Sequence, residues 1–152
     1  MEPSRKKVLA IASGGGHWVQ LLRLRPAFAD CDVTFATVRP GYKQDITDGS
    51  FIVVRDCNRS HRLRVLWSAA GVLFLLLRLR PDVVVTTGAA IGYFAVRLGK
   101  WVGARTIWVD SVANVEELSM SGQMAGHHAD LWLTQWPHLQ RPDGPKFLGS
   151  VL

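Results

Sequence analysis

Short apolar runs recur along this chain, each closed by glycine, proline or polar residues and most followed by a longer segment of helical character. The runs predict strands over residues 7–13, 32–38, 51–55, 82–87, 106–110 and 130–134. Helices are expected over residues 18–25, stopped by Pro26, over 62–80, stopped by Pro81, over 92–102, stopped by Gly103, and briefly over 121–127. Residues 39–50, with Pro40, Gly41 and Gly49, read as an exposed loop. Strands that alternate with helices imply an α/β fold, a Rossmann-like parallel sheet with helices on both faces.

One segment departs from the usual amphipathic pattern. Between residues 62 and 80, Leu63, Val65, Leu66, Trp67, Val72, Leu73, Phe74, Leu75, Leu76, Leu77 and Leu79 surround the whole helix. A helix apolar all round is either buried in a core or in contact with lipid. From Leu63 to Leu79 it would be about 25 Å long, with arginines at both ends and Arg64 inside, so it is expected to lie on a bilayer or within the core and not to span a membrane.

Composition narrows the class. A chain of 152 residues fits a single domain over 1–152. Its 48% hydrophobic content and six tryptophans exceed what a soluble monomer needs to bury, which leaves apolar surface for a partner or a membrane. The net charge of +6 favours an anionic partner. No nucleic-acid motif accompanies the basic residues, and nucleic acid is not an expected partner. Cys31 and Cys57 have neither metal-site spacing nor the look of a disulfide scaffold, which fits a reduced cytosolic setting. The apolar stretch after Arg5, Lys6 and Lys7 is too short for a signal peptide, so the chain is expected to stay on the cytoplasmic side.

Chemistry is expected where strands hand over to helices. Gly14, Gly15, Gly16 and His17 follow the first apolar run, and such a turn lets backbone N–H groups and a positive helix end approach a phosphate. His17 then brings a titratable imidazole to the helix entrance. Thr86, Thr87, Gly88, Ala89, Ala90, Ile91 and Gly92 form a second small-residue turn after Val83, Val84 and Val85. Ligands of open α/β sheets bind beyond such strand ends, although the same turns also serve close helix–strand packing. Asp110 closes the next strand on that edge, where an acid would orient the His17 tautomer, serve as a base or cap a helix. His127 and His128 are adjacent and do not converge on a metal, and His61 and His138 read as structural or solvated. Neither the GxGxxG fingerprint nor a Walker A lysine is present, and no cofactor or metal is expected.

Taken together, Ala12-Ser13-Gly14-Gly15-Gly16-His17 with Gln20-Leu21-Leu22, Arg80-Pro81-Asp82-Val83-Val84-Val85-Thr86-Thr87-Gly88-Ala89, Val109-Asp110-Ser111 with Ser121-Gly122, Ala129-Asp130 and Gln135-Trp136-Pro137 resemble the Alg14 family, with its bacterial exopolysaccharide members of the PssD and EpsE type. The resemblance covers nearly the whole chain, with Asp110 where the family usually has Glu and without the transmembrane anchor of yeast members. It implies the N-terminal, acceptor-side half of a split glycosyltransferase of the GT-B fold, related to MurG. An Alg13-like chain would supply most of the UDP-sugar site, and this half would bind a polyprenyl-diphosphate-linked acceptor at the cytoplasmic face of the plasma membrane. By the same resemblance, Gly14, Gly15, Gly16, Thr87, Gly88, Ala89 and Gly92 would cradle the acceptor diphosphate. His17 and Asp110 would be the catalytic candidates for an inverting transfer. Arg62, Arg64, Arg78 and Arg80 would hold head groups while Leu66, Trp67, Leu73 and Phe74 enter the membrane interface. Two rivals remain: a non-catalytic membrane scaffold that activates the transferase chain, and a sugar-nucleotide epimerase, which length disfavours.

Overall fold

A computed structural model of the protein describes residues 4–56 and 62–151. Seven strands, β1 (Lys7–Ile11), β2 (Asp32–Thr37), β3 (Ser50–Val53), β4 (Val83–Thr86), β5 (Arg105–Val109), β6 (Leu131–Thr134) and β7 (Lys146–Phe147), form one sheet. Four helices connect them: α1 (Gly16–Arg23), α2 (Arg62–Leu79), α3 (Ala89–Trp101) and α4 (Met120–Gly126). The order is β3-β2-β1-β4-β5-β6-β7 and every pair is parallel. All six expected strands are present, and β7 is an addition too short to show a period. Because the chain leaves β1 toward β2 and later returns to β4 on the other side, the β1–β4 boundary is the topological switch point, beyond whose strand ends ligands bind.

Period-two alternation in β1 sorts its side chains between two cores. Leu9 and Ile11 meet Val72, Leu75 and Leu76 of α2 and Ile91 and Ala95 of α3. Val8, Ala10 and Ala12 meet Trp18 and Leu21 of α1 with Phe35 of β2. A smaller cluster of Val96, Trp108 and Ala125 joins α3, β5 and α4.

Two expectations change here. Residues 39–50 are not simply an exposed loop: Pro40–Asp45 forms a 3-10 turn, Tyr42 stacks on Trp18 with ring centroids 5.4 Å apart, and Trp18 Nε1 donates to Asp45 at 2.9 Å. The other concerns α2, which is neither buried all round nor exposed all round. Ser68, Val72, Leu75 and Leu76 are buried, whereas Leu63, Leu66, Trp67, Phe74 and Leu77 are 55–71% exposed. The exposed positions recur at helical spacing, so they make a single apolar stripe along the outer face. Arg80 ends the helix in the left-handed region, at φ 45°, with its N–H on the Leu76 carbonyl, and Pro81 prevents continuation.

Candidate functional site

The turns after β1 and β4 meet at the switch point, and His17 is where they touch. Its Nδ1 lies 2.9 Å from the Thr87 carbonyl oxygen, while the Thr87 hydroxyl donates back to the His17 carbonyl at 2.6 Å. A carbonyl only accepts, so in the neutral ring Nδ1 carries the proton and Nε2 keeps its lone pair. Gly88 makes room for the ring: it sits at φ 131°, and a Cβ there would lie 2.7 Å from His17 Cε1. Ala89 follows at φ 67°, a strained conformation for a residue with a side chain.

His17 and Ala89 line a groove of about 1070 Å³, room enough for a substrate of ordinary size. Ser13, Gly14, Gly15, His17 and Arg39 form one side, Ala89, Ala90 and Ile91 the floor of the second turn, and Asn114, Glu117, Ser119 and Met120 the other rim.

The expected site residues separate into those that face the groove and those that hold it together. Gly14, Gly15, His17 and Ala89 line it, and Gly16 opens α1 beside them. Two of the expected phosphate donors are already engaged: Gly15 N–H donates to Tyr42 Oη at 3.0 Å and Gly88 N–H to Thr86 Oγ1 at 3.2 Å. Thr87 is fully buried and serves as the latch on His17. Gly92 is buried against β4, where a Cβ would fall 2.2 Å from Thr86 Oγ1, so it is a packing glycine and not a ligand contact.

Asp110 also departs from expectation. It is 2% exposed, does not line the groove, and does not orient His17, whose Nδ1 is held by Thr87. One carboxylate oxygen accepts from Trp108 Nε1 at 3.3 Å and the Ser119 hydroxyl at 2.5 Å, and the other accepts from Ser119 N–H at 2.9 Å. Ser119 in turn caps α4 by accepting from Gly122 N–H at 2.9 Å. Asp110 therefore shapes the far rim through the loop that carries Asn114 and Glu117.

Beneath the floor lies an amide pair to which sequence reasoning gave no role. Gln20, 4% exposed, donates to the Gly16 carbonyl and Ser111 Oγ and accepts from Val112 N–H and Gln135 Nε2, using all four of its hydrogen-bonding positions. Gln135 also donates to the Asp110 carbonyl and accepts from Val151 N–H at 2.8 Å. The pair ties the glycine turn to the exits of β5 and β6. Position alone could have suggested Gln20, one helical turn after Gly16, and Arg39 and Tyr42, which follow β2 on the ligand edge.

Of the interface residues expected on α2, Leu66, Trp67 and Phe74 stand exposed, Leu73 is half-buried, and Arg62, Arg64, Arg78 and Arg80 are exposed at the two ends of the stripe. The helix adjoins the groove, because Ser68 Oγ donates at 2.9 Å to the carbonyl of Asp56, a groove-lining residue. Among the described residues no helix is long and apolar enough to cross a membrane. His127 and His128 lie away from the groove, and His128 Nδ1 is 3.2 Å from Arg97. Burial, with the charges of Arg97, His127 and Lys100, holds the His128 pKa below the usual imidazole range. His138 lies against the Val115 carbonyl, and His61 falls outside the described residues.

Solved structures share this architecture. MurG from Acinetobacter baumannii matches with a TM-score of 0.78 at 13% identity, over 97% of this chain and 46% of MurG. A protein described as a UDP-N-acetylglucosamine 2-epimerase from Listeria monocytogenes matches with a TM-score of 0.66 at 13% identity, over 88% of this chain and 40% of that protein. The chain thus spans about half the length of these neighbours, and its class is the Rossmann-like N-terminal domain of the GT-B fold. The sequence comparisons are more specific. The model described as "Oligosaccharide biosynthesis protein Alg14 like" matches residues 53–151, and the UDP-N-acetylglucosamine transferase subunit ALG14 of Mus musculus is 36% identical over 182 residues, covering 96% of this chain and 83% of the mouse protein. The chain belongs to the Alg14 family.

Proposed function

We propose that this chain is the acceptor-side subunit of a split, UDP-sugar-dependent glycosyltransferase. In this reading it binds a polyprenyl-diphosphate-linked sugar at the His17 groove and recruits an Alg13-like chain that carries most of the donor site. The observation that carries the reading is an imidazole anchored through Nδ1 at the switch point, with Nε2 free of protein partners among the described residues. Such a nitrogen is suited to take the proton of an acceptor hydroxyl as that oxygen attacks the anomeric carbon of the donor. The new C–O bond forms on the face opposite the leaving nucleoside diphosphate, whose departing oxygen keeps the electron pair, and the sugar inverts.

Two further features support the division of labour. The Mus musculus relative is named as a UDP-N-acetylglucosamine transferase subunit, which supports a transferase shared between chains. The apolar stripe on α2, with arginines at each end and its inner face anchored beside the groove through Asp56, suits docking on an anionic membrane surface at the cytoplasmic face. The oligosaccharide product fits the family name better than an exopolysaccharide does.

The stripe by itself would equally suit a non-catalytic scaffold, and His17 separates the two roles. In the reconstituted pair, His17→Gln is expected to lower kcat by roughly 10²–10⁴-fold with thermal stability kept. Full activity in that variant would assign the chain the scaffold role.

A further inference from the structure

We propose that Arg39 is the cation that grips the diphosphate in the His17 groove, with Gly14 and the Pro40–Asp45 turn setting its position. This rests on the reading of the groove as a diphosphate site and adds a residue to it.

Accounting for the backbone donors leads there. Gly15 and Gly88, the two glycines best placed by sequence to bind phosphate, spend their N–H groups on Tyr42 and Thr86. The first turn of α1 still offers Gly16 and His17 N–H, but a helix end supplies only about half a unit charge, far less than a diphosphate carries. A full cation is needed to balance it. Among the described residues Arg39 is the only lysine or arginine lining the groove, and none of the described carboxylates is within ion-pairing distance of it.

Its position is built and not incidental. A Cβ on Gly14 would lie 2.6 Å from Arg39 Nε and 3.0 Å from its Cδ, so the side chain lies across the glycine turn and glycine is what admits it. The Arg39 carbonyl accepts from Tyr42 N–H at 3.3 Å within its own turn, and the Tyr42 hydroxyl accepts from Gly15 N–H, which joins that turn to the glycine turn. Tyr42 is itself stacked on buried Trp18. The groove's own carboxylates, Asp56 and Glu117, repel an anion from their positions and leave the Arg39–Gly14–His17 corner for it. The guanidinium fork matches two phosphate oxygens in a way that a lysine does not.

The same chemistry serves a lipid-linked acceptor or a nucleotide sugar, and three probes tell them apart. The full chain is titrated with inorganic pyrophosphate, geranyl diphosphate and UDP-N-acetylglucosamine, with the amide resonances of Gly14, Gly16 and His17 followed by NMR. Arg39→Gln is expected to weaken pyrophosphate binding roughly tenfold or more, with Arg39→Lys intermediate. Gly14→Ala, which pushes the guanidinium aside, should weaken it comparably, and the double variant should be no worse than either single one. A loss shared with geranyl diphosphate assigns the grip to the acceptor, and a loss shared with the UDP-sugar assigns it to the donor. Unchanged pyrophosphate affinity in Arg39→Gln would overturn the role of Arg39 while leaving the site intact. Absence of pyrophosphate binding to the unaltered chain would overturn the diphosphate reading itself.

Discussion

The turns after β1 and β4 look alike in sequence, each a cluster of small residues between a buried strand and a helix, yet they do different work. The first presents: Gly14, Gly15 and His17 line the groove, and nothing lies within 4 Å of where a Cβ on Gly15 would be. The second holds: Thr87 is buried, exchanges two hydrogen bonds with His17, and leaves Gly88 no space for a side chain. A glycine at a strand end thus has two distinct meanings, room for a ligand or room for the residue that meets the ligand. Only the neighbour across the switch point tells which applies.

Paired substitutions put that contrast to the test. Gly88→Ala forces a side chain into the left-handed region and into the His17 ring, and is expected to cost about 2–3 kcal/mol in urea unfolding and to lower transfer with it. Asp110→Asn, which weakens the acceptor shared by Trp108 and Ser119, should cost about 2 kcal/mol and affect stability more than transfer. Gly15→Ala meets no atoms, so only its backbone at φ 66° and ψ −138° is penalised, by about 1–2 kcal/mol, less than Gly88→Ala. If the two alanine variants proved equally destabilising, the two turns would not differ as described.

The smallest effect is expected at the opposite edge of the sheet, which serves as a control. Burial tends to raise the Asp130 pKa, but its hydrogen bond to Lys100 and those from Thr106 outweigh this and hold it below the ordinary 3.8. Between that folded value and 3.8 the unfolded chain binds more protons, so this contribution to stability is present above 3.8 and lost as pH falls through the folded value. Asp130→Asn should flatten the acid limb of stability below pH 3.8 without altering ligand binding in the groove.

Much of the fold was legible because its signals are local. Six strands and four helices follow from apolar period and from Pro26, Pro81 and Gly103, with boundaries shifted by up to a few residues. His17 was legible as well, since a strand, a glycine turn and a helix place it unaided. What escaped depends on contacts distant in sequence. Asp110 sits at the expected strand end, but only the fold shows it turned inward to Trp108 and Ser119. Gln20 and Gln135 meet across 115 positions, and no periodicity announces them. Arg39 and Tyr42 read as loop residues until Trp18 and the glycine turn are placed beside them. The continuous apolar pattern of α2 concealed a division into inner and outer faces, because residues that meet the core and residues that form the stripe are equally hydrophobic.

The most direct test of the central claim is transfer from labelled UDP-N-acetylglucosamine to a polyprenyl-diphosphate-linked sugar, measured for this chain alone, an Alg13-like partner alone, and the two mixed. The account predicts product only in the mixture, abolished or sharply reduced by His17→Gln. Full transfer by the partner alone would contradict it.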